Sequence, residues 1–170
     1  MRKISFKIVA LMLCLAAAVA VFSGCGTVTL AKPTPLPGVP TYKITGSCEI
    51  AINGDVVTVS GKTDLDSGAL INISVVAQNG MTIDSVTVTQ NKANDTISAD
   101  FNIAGKTSGV EKIVGYISCA PTLYGSQTDG VYQKYGKKFE YIEADNKNLI
   151  WGNDGNVVAF ASDMIDLPKL

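Results

Sequence analysis

The 170-residue chain contains no histidine, and its 14 basic residues nearly balance its 15 acidic residues. Without histidine, the chain lacks the commonest general base and metal ligand, so Ser-His and Cys-His catalysis and His-ligated zinc are excluded. The net charge is not positive and the only arginine is Arg2, so nucleic acid is not an expected partner. We also expect no cofactor and no bound metal.

The N-terminus has the pattern of an export signal. Arg2, Lys3 and Lys7 precede an uncharged run from Ile8 to Phe22. A membrane-spanning helix needs roughly 20 apolar residues, and this run is shorter, so residues 1–24 are interpreted as a cleaved signal peptide. Its removal would leave eleven lysines against fifteen acids, a net charge of −4.

The segment Phe22-Ser23-Gly24-Cys25 resembles the lipobox of bacterial lipoproteins. The resemblance implies that a diacylglyceryl group is attached to Cys25, which would anchor the protein to a membrane at the cell surface, outside the cytoplasm. Two acyl chains suffice for stable anchoring. The alternative is an ordinary secretory signal that is cleaved near Ala20 or Gly24 and leaves Cys25 free. Residues 25–40, which contain four prolines, are predicted to form an extended tether.

From Ile44 onward, apolar and polar residues alternate, which predicts β-strands. Turn residues separate the strands, with Asn53-Gly54-Asp55 as a hairpin and Gln78-Asn79-Gly80 as another turn. We predict seven strands, marked by Ile44, Gly46, Cys48, Ile50 and Ile52; Val57 and Val59; Ile71, Ile73 and Val75; Val86 and Val88; Ile97, Ala99, Phe101 and Ile103; Ile113, Gly115, Ile117 and Cys119; and Phe139 and Tyr141.

Seven short strands without a long helical stretch predict an all-β fold, a two-sheet antiparallel sandwich over residues 41–143. A short helix is expected before the last strand, with Ser126 as its N-cap and Gly136 as its stop. Residues 144–170 are predicted to form an extra C-terminal hairpin around Asn153-Asp154-Gly155-Asn156, followed by a loose tail from Asp163.

The segment Gly61-Lys62-Thr63-Asp64-Leu65-Asp66-Ser67-Gly68, followed by alternating Ile71, Ile73 and Val75, carries a family resemblance. It is similar to the strand-turn-strand pattern of immunoglobulin-like or fibronectin-III-like domains in bacterial surface lipoproteins. The segment from Val131 to Gly136 is similar to the same group. The resemblance implies an immunoglobulin-like sandwich at the cell surface and assigns no catalytic residue.

Three groups of residues could support specific chemistry. Cys48 and Cys119 both lie on predicted core faces and are a candidate disulfide, with two buried thiols as the alternative. Asp64-x-Asp66-x-Gly68 spaces oxygen ligands as a calcium loop does, but a plain turn explains the same residues. Glu140 and Glu143 could form the acid pair of a glycosidase, although solvated charge on a strand edge is the ordinary explanation.

Aromatic residues are concentrated in the second half of the chain, in and around the longest predicted loop, Pro121 to Gly136. Amphipathic rings on a loop are suited to ligand contact, although they could equally cover a sheet edge. We therefore expect a binding module for a protein, a glycan or an envelope component, with a carboxylate-based hydrolase or a purely structural envelope protein as alternatives. The predicted binding patch consists of Tyr116, Tyr124, Tyr132 and Tyr135, bordered by Trp151.

Overall fold

The computed structural model describes residues 37–143, 147–152 and 154–168. The predicted signal peptide, the segment that resembles a lipobox with Cys25 and most of the predicted tether lie outside these residues. No helix in the described ranges is long and apolar enough to span a membrane. The described strands form two antiparallel sheets around a common apolar core, so the predicted all-β two-sheet sandwich is confirmed.

The two sheets differ in width. The smaller sheet has the order β1-β2-β5, and the larger has the order β4-β3-β6-β8-β7, with a short β9 also paired to β6. The strands are β1 (Gly46–Asn53), β2 (Val56–Thr63), β3 (Leu70–Ala77), β4 (Thr82–Thr89), β5 (Ile97–Asn102), β6 (Lys112–Cys119), β7 (Leu149–Ile150), β8 (Val157–Ala161) and β9 (Ile165–Asp166), and the helix α1 covers Asp129–Tyr135.

The smaller sheet follows directly from the sequence pattern. Val57 and Val59 on β2 are completely buried, while Thr58 between them faces the other way and is half-buried. β1 and β2 are joined by a turn at Gly54. Its φ is 60°, a value that glycine adopts without steric cost because it has no side chain. β5 alternates between buried and exposed positions as predicted.

β3 departs from the predicted alternation, because every residue from Ile71 to Ala77 is buried. The strand lies between β4 and β6, so both of its edges are covered. Its polar residues Asn72 and Ser74 point away from the smaller sheet and are nevertheless only 8% and 7% exposed. The burial of a residue in the middle of a sheet depends on the neighbouring strands and loops, which a pattern along one strand does not reveal.

The predicted strand at Phe139 and Tyr141 is wrong. These residues form turns after α1, and Phe139 has a φ of 58° and a fully buried side chain. The corresponding place in the larger sheet is taken by β8, which pairs with β6 from Tyr116 to Cys119. The C-terminal strands are therefore part of the sandwich and not an appendage after residue 143. β9 also pairs with β6, so the tail is not loose throughout.

The helix begins later than predicted. Thr128, not Ser126, is the N-cap residue, and its side chain makes no capping hydrogen bond. The predicted stop is confirmed, since Gly136 ends the helix with a φ of 87° and its N–H donates to the Tyr132 carbonyl. The loop before the helix is instead fixed by the side chain of Gln127.

Candidate ligand-binding face

The outward-facing side of the larger sheet brings together small polar residues and one aromatic ring. In the strand register, Ser74 and Ala161 lie on either side of Tyr116, and Asn72 and Ala159 lie on either side of Ser118. β4 adds two more positions beside β3. We call this surface the outer polar face, and it consists of Asn72, Ser74, Ser85, Thr87, Tyr116, Ser118, Ala159 and Ala161.

The direction of these side chains follows from their neighbours on β6. A Cβ atom added to Gly115 would lie 3.0 Å from a Val59 methyl group, so Gly115 faces the smaller sheet. Because side chains alternate along a strand, Tyr116 and Ser118 face the opposite way, away from the smaller sheet, although Ser118 is only 7% exposed. Tyr116 is half-buried, which means that its ring packs onto its small neighbours and still presents a surface.

Tyr124 reaches the same face from the loop after β6. Its hydroxyl oxygen lies 2.8 Å from the Ser118 hydroxyl oxygen, which places the end of the Tyr124 side chain beside the row of Asn72 and Ser118. Burial raises the pKa of the Tyr124 phenol, so the hydroxyl stays protonated at neutral pH and can donate a hydrogen bond.

Gln127 holds this loop against the sheet. Its Oε1 accepts from the Leu70 N–H at 2.8 Å, and its Nε2 donates to the Leu70 carbonyl at 3.1 Å and to the Ala120 carbonyl at 2.7 Å. One buried amide thus connects the start of β3 to the end of β6. The loop that carries Tyr124 is therefore built into the sandwich.

The structure separates the five residues of the predicted patch. Tyr135 is 1% exposed and packs edge-on against Tyr42 and Phe139. It is therefore a core residue, and its assignment to the predicted binding patch is wrong. Tyr132 is half-buried, and its hydroxyl donates to the Pro121 carbonyl at 2.7 Å. Trp151 follows β7 and packs against the core cluster. Only Tyr116 and Tyr124 are brought to one surface.

No family model, no curated protein and no solved structure matches this chain. Any functional assignment therefore depends on the sequence features and on the geometry of the described residues.

The two domain cysteines are not brought together, so the predicted disulfide is not formed. The Cys48 thiol faces the backbone of Ser162 and Ile117, whereas Cys119 lies two residues farther along β6, roughly 7 Å. Burial raises the pKa of Cys48 to about 11 and that of Cys119 to about 12. Since the thiolate is the reactive form, both are inert structural thiols at neutral pH.

The carboxylates of the Asp64-x-Asp66-x-Gly68 segment point to different partners. Asp64 accepts hydrogen bonds from the backbone N–H and the hydroxyl of Thr45, at 2.8 and 2.7 Å. Asp66 forms an ion pair with Lys134 at 2.7 Å. Within the described ranges, no three acidic or cysteine side chains come together as a metal site would require. The segment is best explained as a turn that ties β2 to α1.

Glu140, one of the two carboxylates considered for a hydrolase, has a local role. Its Oε2 accepts from the Lys138 N–H at 2.7 Å, which stabilises the turn after α1. Of the eight residues of the outer polar face, only Tyr116 was predicted from the sequence, and Asn72, Ser74 and Ser118 are among those that the pattern did not single out. Their signal in the sequence is only that each alternates with buried aliphatic residues, which fits any solvated strand face equally well.

Proposed function

We propose that this protein is a lipid-anchored extracytoplasmic binding module and that its ligand contacts the outer polar face around Tyr116 and Tyr124. The anchor is the diacylglyceryl group on Cys25. The domain is an immunoglobulin-like or fibronectin-III-like sandwich of the kind found in bacterial surface lipoproteins.

The location is supported by the N-terminal sequence. A basic start, an uncharged run and Phe22-Ser23-Gly24-Cys25 occur in the order expected of a lipoprotein signal. The proline-rich segment after Cys25 would hold the sandwich away from the membrane surface.

The family assignment is supported by the strand order. In constant-type immunoglobulin sandwiches the first, second, fourth and fifth strands share one sheet, and the third, sixth and seventh share the other, while variable-type domains add strands to the second sheet. β1, β2 and β5 here form the smaller sheet, and β4, β3, β6 and β8 follow one another in the larger sheet. With β8 counted as the seventh strand, the two arrangements agree except for β4, which belongs to the larger sheet as the additional strands of variable-type domains do.

The observation that carries the binding function is the pair of tyrosines on one sheet face. Tyr116 is half-buried among small residues, and Tyr124 is held beside Ser118 by its own hydroxyl. Rigid aromatic rings lose little conformational entropy on contact and offer both an apolar surface and a hydroxyl. Fixed rings on a rigid scaffold are typical of recognition surfaces.

Binding is tested by affinity capture with the chain from Pro40 onward, which contains every described strand. Beads carrying this protein are expected to retain an envelope component. Beads carrying the Tyr116→Ala variant are expected to retain at most about one fifth of the wild-type amount. Glu49→Ala, an exposed change on the smaller sheet, serves as the control and should retain the wild-type amount. Equal capture by Tyr116→Ala and the wild type would reject this face as the binding surface.

The anchor is tested by fractionation of producing cells. The wild-type protein is expected in the membrane or detergent phase, and Cys25→Ala should either release it or leave an uncleaved precursor, because no thiol remains for acylation. Immunoblotting of the fractions together with mass spectrometry of the N-terminus provides the measurement. An aqueous wild-type protein that begins at Gly26 would contradict the lipoprotein assignment.

A further inference from the structure

We infer that the open edge of β4 pairs with the same edge of a second copy of this chain, in an antiparallel contact centred on Thr87. β4 is the last strand on one side of the larger sheet, and among the described strands it pairs only with β3. The inference goes beyond the proposed function and does not depend on the ligand of the outer polar face.

The backbone groups of β4 point alternately toward β3 and away from the sheet. At the start of β3, the Leu70 N–H and carbonyl both bond to the Gln127 side chain, on the side of β6. The preceding residue, Ala69, instead accepts from the Gln90 N–H at 2.9 Å, on the side of β4. Because this direction alternates along antiparallel strands, the even-numbered residues of β4 bond to β3 and the odd-numbered ones direct their backbone groups outward.

The first half of the β4 edge is closed by Asp84. Its Oδ1 accepts from the outward-directed Ser85 N–H at 2.9 Å, and its Oδ2 accepts from the Lys106 Nζ at 2.6 Å. The pairing with β3 is also irregular here, with a register shift between Val75 and Val76. Charged side chains and bulges are common means of protecting a strand edge from further pairing.

The second half of β4 has no such protection. From Val86 to Thr89 the sequence is Val-Thr-Val-Thr, without a charge or a proline. The outward N–H and carbonyl groups of Thr87 and Thr89 have no backbone partner among the described residues. A row of unpaired backbone groups is a template for the addition of another strand.

Val86 adds an exposed apolar side chain to this open half. It lies opposite the fully buried Ile73 and is therefore on the core side of β4, yet it is 40% exposed. The smaller sheet has only three strands and leaves this position uncovered. A strand added to the edge would cover Val86 with the side chain of its directly opposite residue.

A second copy supplies a matching strand when a two-fold axis relates the two edges at Thr87. In that register, Val86 lies opposite Val88 of the second copy, and cross-strand pairs of β-branched residues are favourable. Asp84 is the only charged residue of β4 and lies opposite Gln90 of the second copy. No like charges are therefore opposed.

The same register pairs the open backbone groups. Thr87 would exchange two hydrogen bonds with Thr87 of the second copy, and each Thr89 N–H would donate to the Ser85 carbonyl across the axis. Because the contact is symmetric, it covers the edge of both copies and ends at a dimer. A single strand from another protein would cover this edge but expose its own far edge, so a second copy is the better occupant.

The contact is small, because it involves only the segment from Ser85 to Thr89, and it therefore depends on concentration. The anchor proposed at Cys25 would confine the copies to one membrane and raise their effective concentration. Antiparallel pairing makes the two chains enter the dimer from opposite ends. Residues 25–41 can span up to roughly 50 Å, which exceeds the roughly 27 Å of an eight-residue strand, so both copies can remain anchored.

The test uses Thr87→Cys in the full-length protein, oxidised with copper phenanthroline in the cells that produce it. Opposite residues of a hydrogen-bonded pair have Cα atoms about 5.5 Å apart, which a disulfide can bridge. Non-reducing immunoblots of Thr87→Cys should show at least about fivefold more dimer than those of Ser98→Cys, an exposed position on the edge strand β5. The wild type, whose two domain cysteines are inert, gives the background.

A second pair of variants is matched in residue type and exposure. Val86 is 40% exposed on the larger sheet, and Val56 is 39% exposed on the smaller one. Combined with Thr87→Cys, Val86→Lys should lower the amount of dimer about tenfold, because it places a charge against an apolar residue on both sides of the axis. Val56→Lys should leave the amount unchanged. Both variants should keep the urea midpoint of Thr87→Cys, since the replaced side chains are exposed.

The inference is overturned by any of three results. Thr87→Cys could give no more dimer than Ser98→Cys, Val86→Lys could give as much dimer as Val56→Lys, or Thr87→Cys could cross-link to a different protein and not to itself. The result is also separable from the anchor. A dimer formed by a protein that fractionates as aqueous would support the edge contact and contradict the anchor, whereas an anchored protein without a dimer would do the reverse.

Discussion

Replacement of Gln127 by alanine should lower the free energy of unfolding by about 3 kcal/mol. The Gln127 side chain is 4% exposed and satisfies the Leu70 N–H together with the Leu70 and Ala120 carbonyls. A buried polar group that loses its partner costs about 1–3 kcal/mol, and the substitution deprives at least two such groups of their partner at the same end of the sandwich.

Urea unfolding measures this effect, with the fluorescence of Trp151, the only tryptophan, as the signal. The matched control is Gln133→Ala, since Gln133 is an exposed glutamine on α1 and its loss should change stability by no more than about 0.5 kcal/mol. If the two variants unfold at the same urea concentration, the amide of Gln127 does not connect β3 to β6 as described.

The loss of the Gln127 amide should also affect ligand binding. Gln127 lies three residues after Tyr124 and holds the loop that places the Tyr124 hydroxyl beside Ser118. A folded Gln127→Ala protein should therefore lose affinity for the ligand of the outer polar face as well as stability. This coupling is expected because preorganised loops bind more tightly than loops that must be ordered on contact.

The alternation of apolar residues was sufficient to locate the first six strands. In the segment from Ile97 to Ile103 the buried and exposed positions agree with the pattern, because one side of β5 packs on the core and the other is solvated. The alternation located β3 but did not predict the burial of its polar residues, which are buried although they face away from the core. Their burial depends on the neighbouring strands β4 and β6, and periodicity within one strand carries no information about neighbours.

The C-terminal part was harder to predict for a different reason. Phe139 and Tyr141 alternate with charged residues as a strand does, yet Phe139 has a positive φ and packs in a turn. The β8 segment, Val157–Ala161, was recognised as half of a hairpin, but its pairing with β6 is a contact between residues about forty positions apart. Such pairings are decided by the competition between segments for one sheet edge, which local propensity does not describe.

The candidate site was predictable only in part. Tyr116 lies between Gly115 and Ile117 of the predicted sixth strand, so strand parity directs it away from the core, and the contact of Gly115 with Val59 agrees with this direction. Tyr135 was expected at the surface because it belongs to the aromatic loop and short helix, but the helix turns its ring toward Tyr42 and Phe139. The sequence showed that the loop is aromatic, but not which face of the short helix would pack on the core.

Gly61→Ala should be the most damaging single-methyl change in the smaller sheet, with an expected loss of about 3 kcal/mol. Gly61 lies within β2, paired with Cys48 on β1 and Ile97 on β5. A Cβ atom there would collide with the Ser47 carbonyl oxygen and would lie 2.7 Å from the Cδ1 atom of Ile117 in the other sheet. Overpacking of a well-packed core costs about 1–3 kcal/mol, and this methyl meets backbone that cannot rotate away.

The matched control for Gly61→Ala is Gly130→Ala on α1, which adds the same methyl group where no atom lies within 4 Å apart from the adjacent residues and the backbone of the helix itself. Alanine is favoured over glycine in a helix by up to about 1 kcal/mol, so this variant should be as stable as the wild type or more stable. In urea unfolding, the midpoint concentration of Gly61→Ala should therefore be lower than that of the wild type. The midpoint of Gly130→Ala should be equal to that of the wild type or higher. A Gly61→Ala protein with wild-type stability would mean that β1 and β6 do not approach β2 as closely as the structure shows, and the packing of the two sheets at Ile117 would have to be revised.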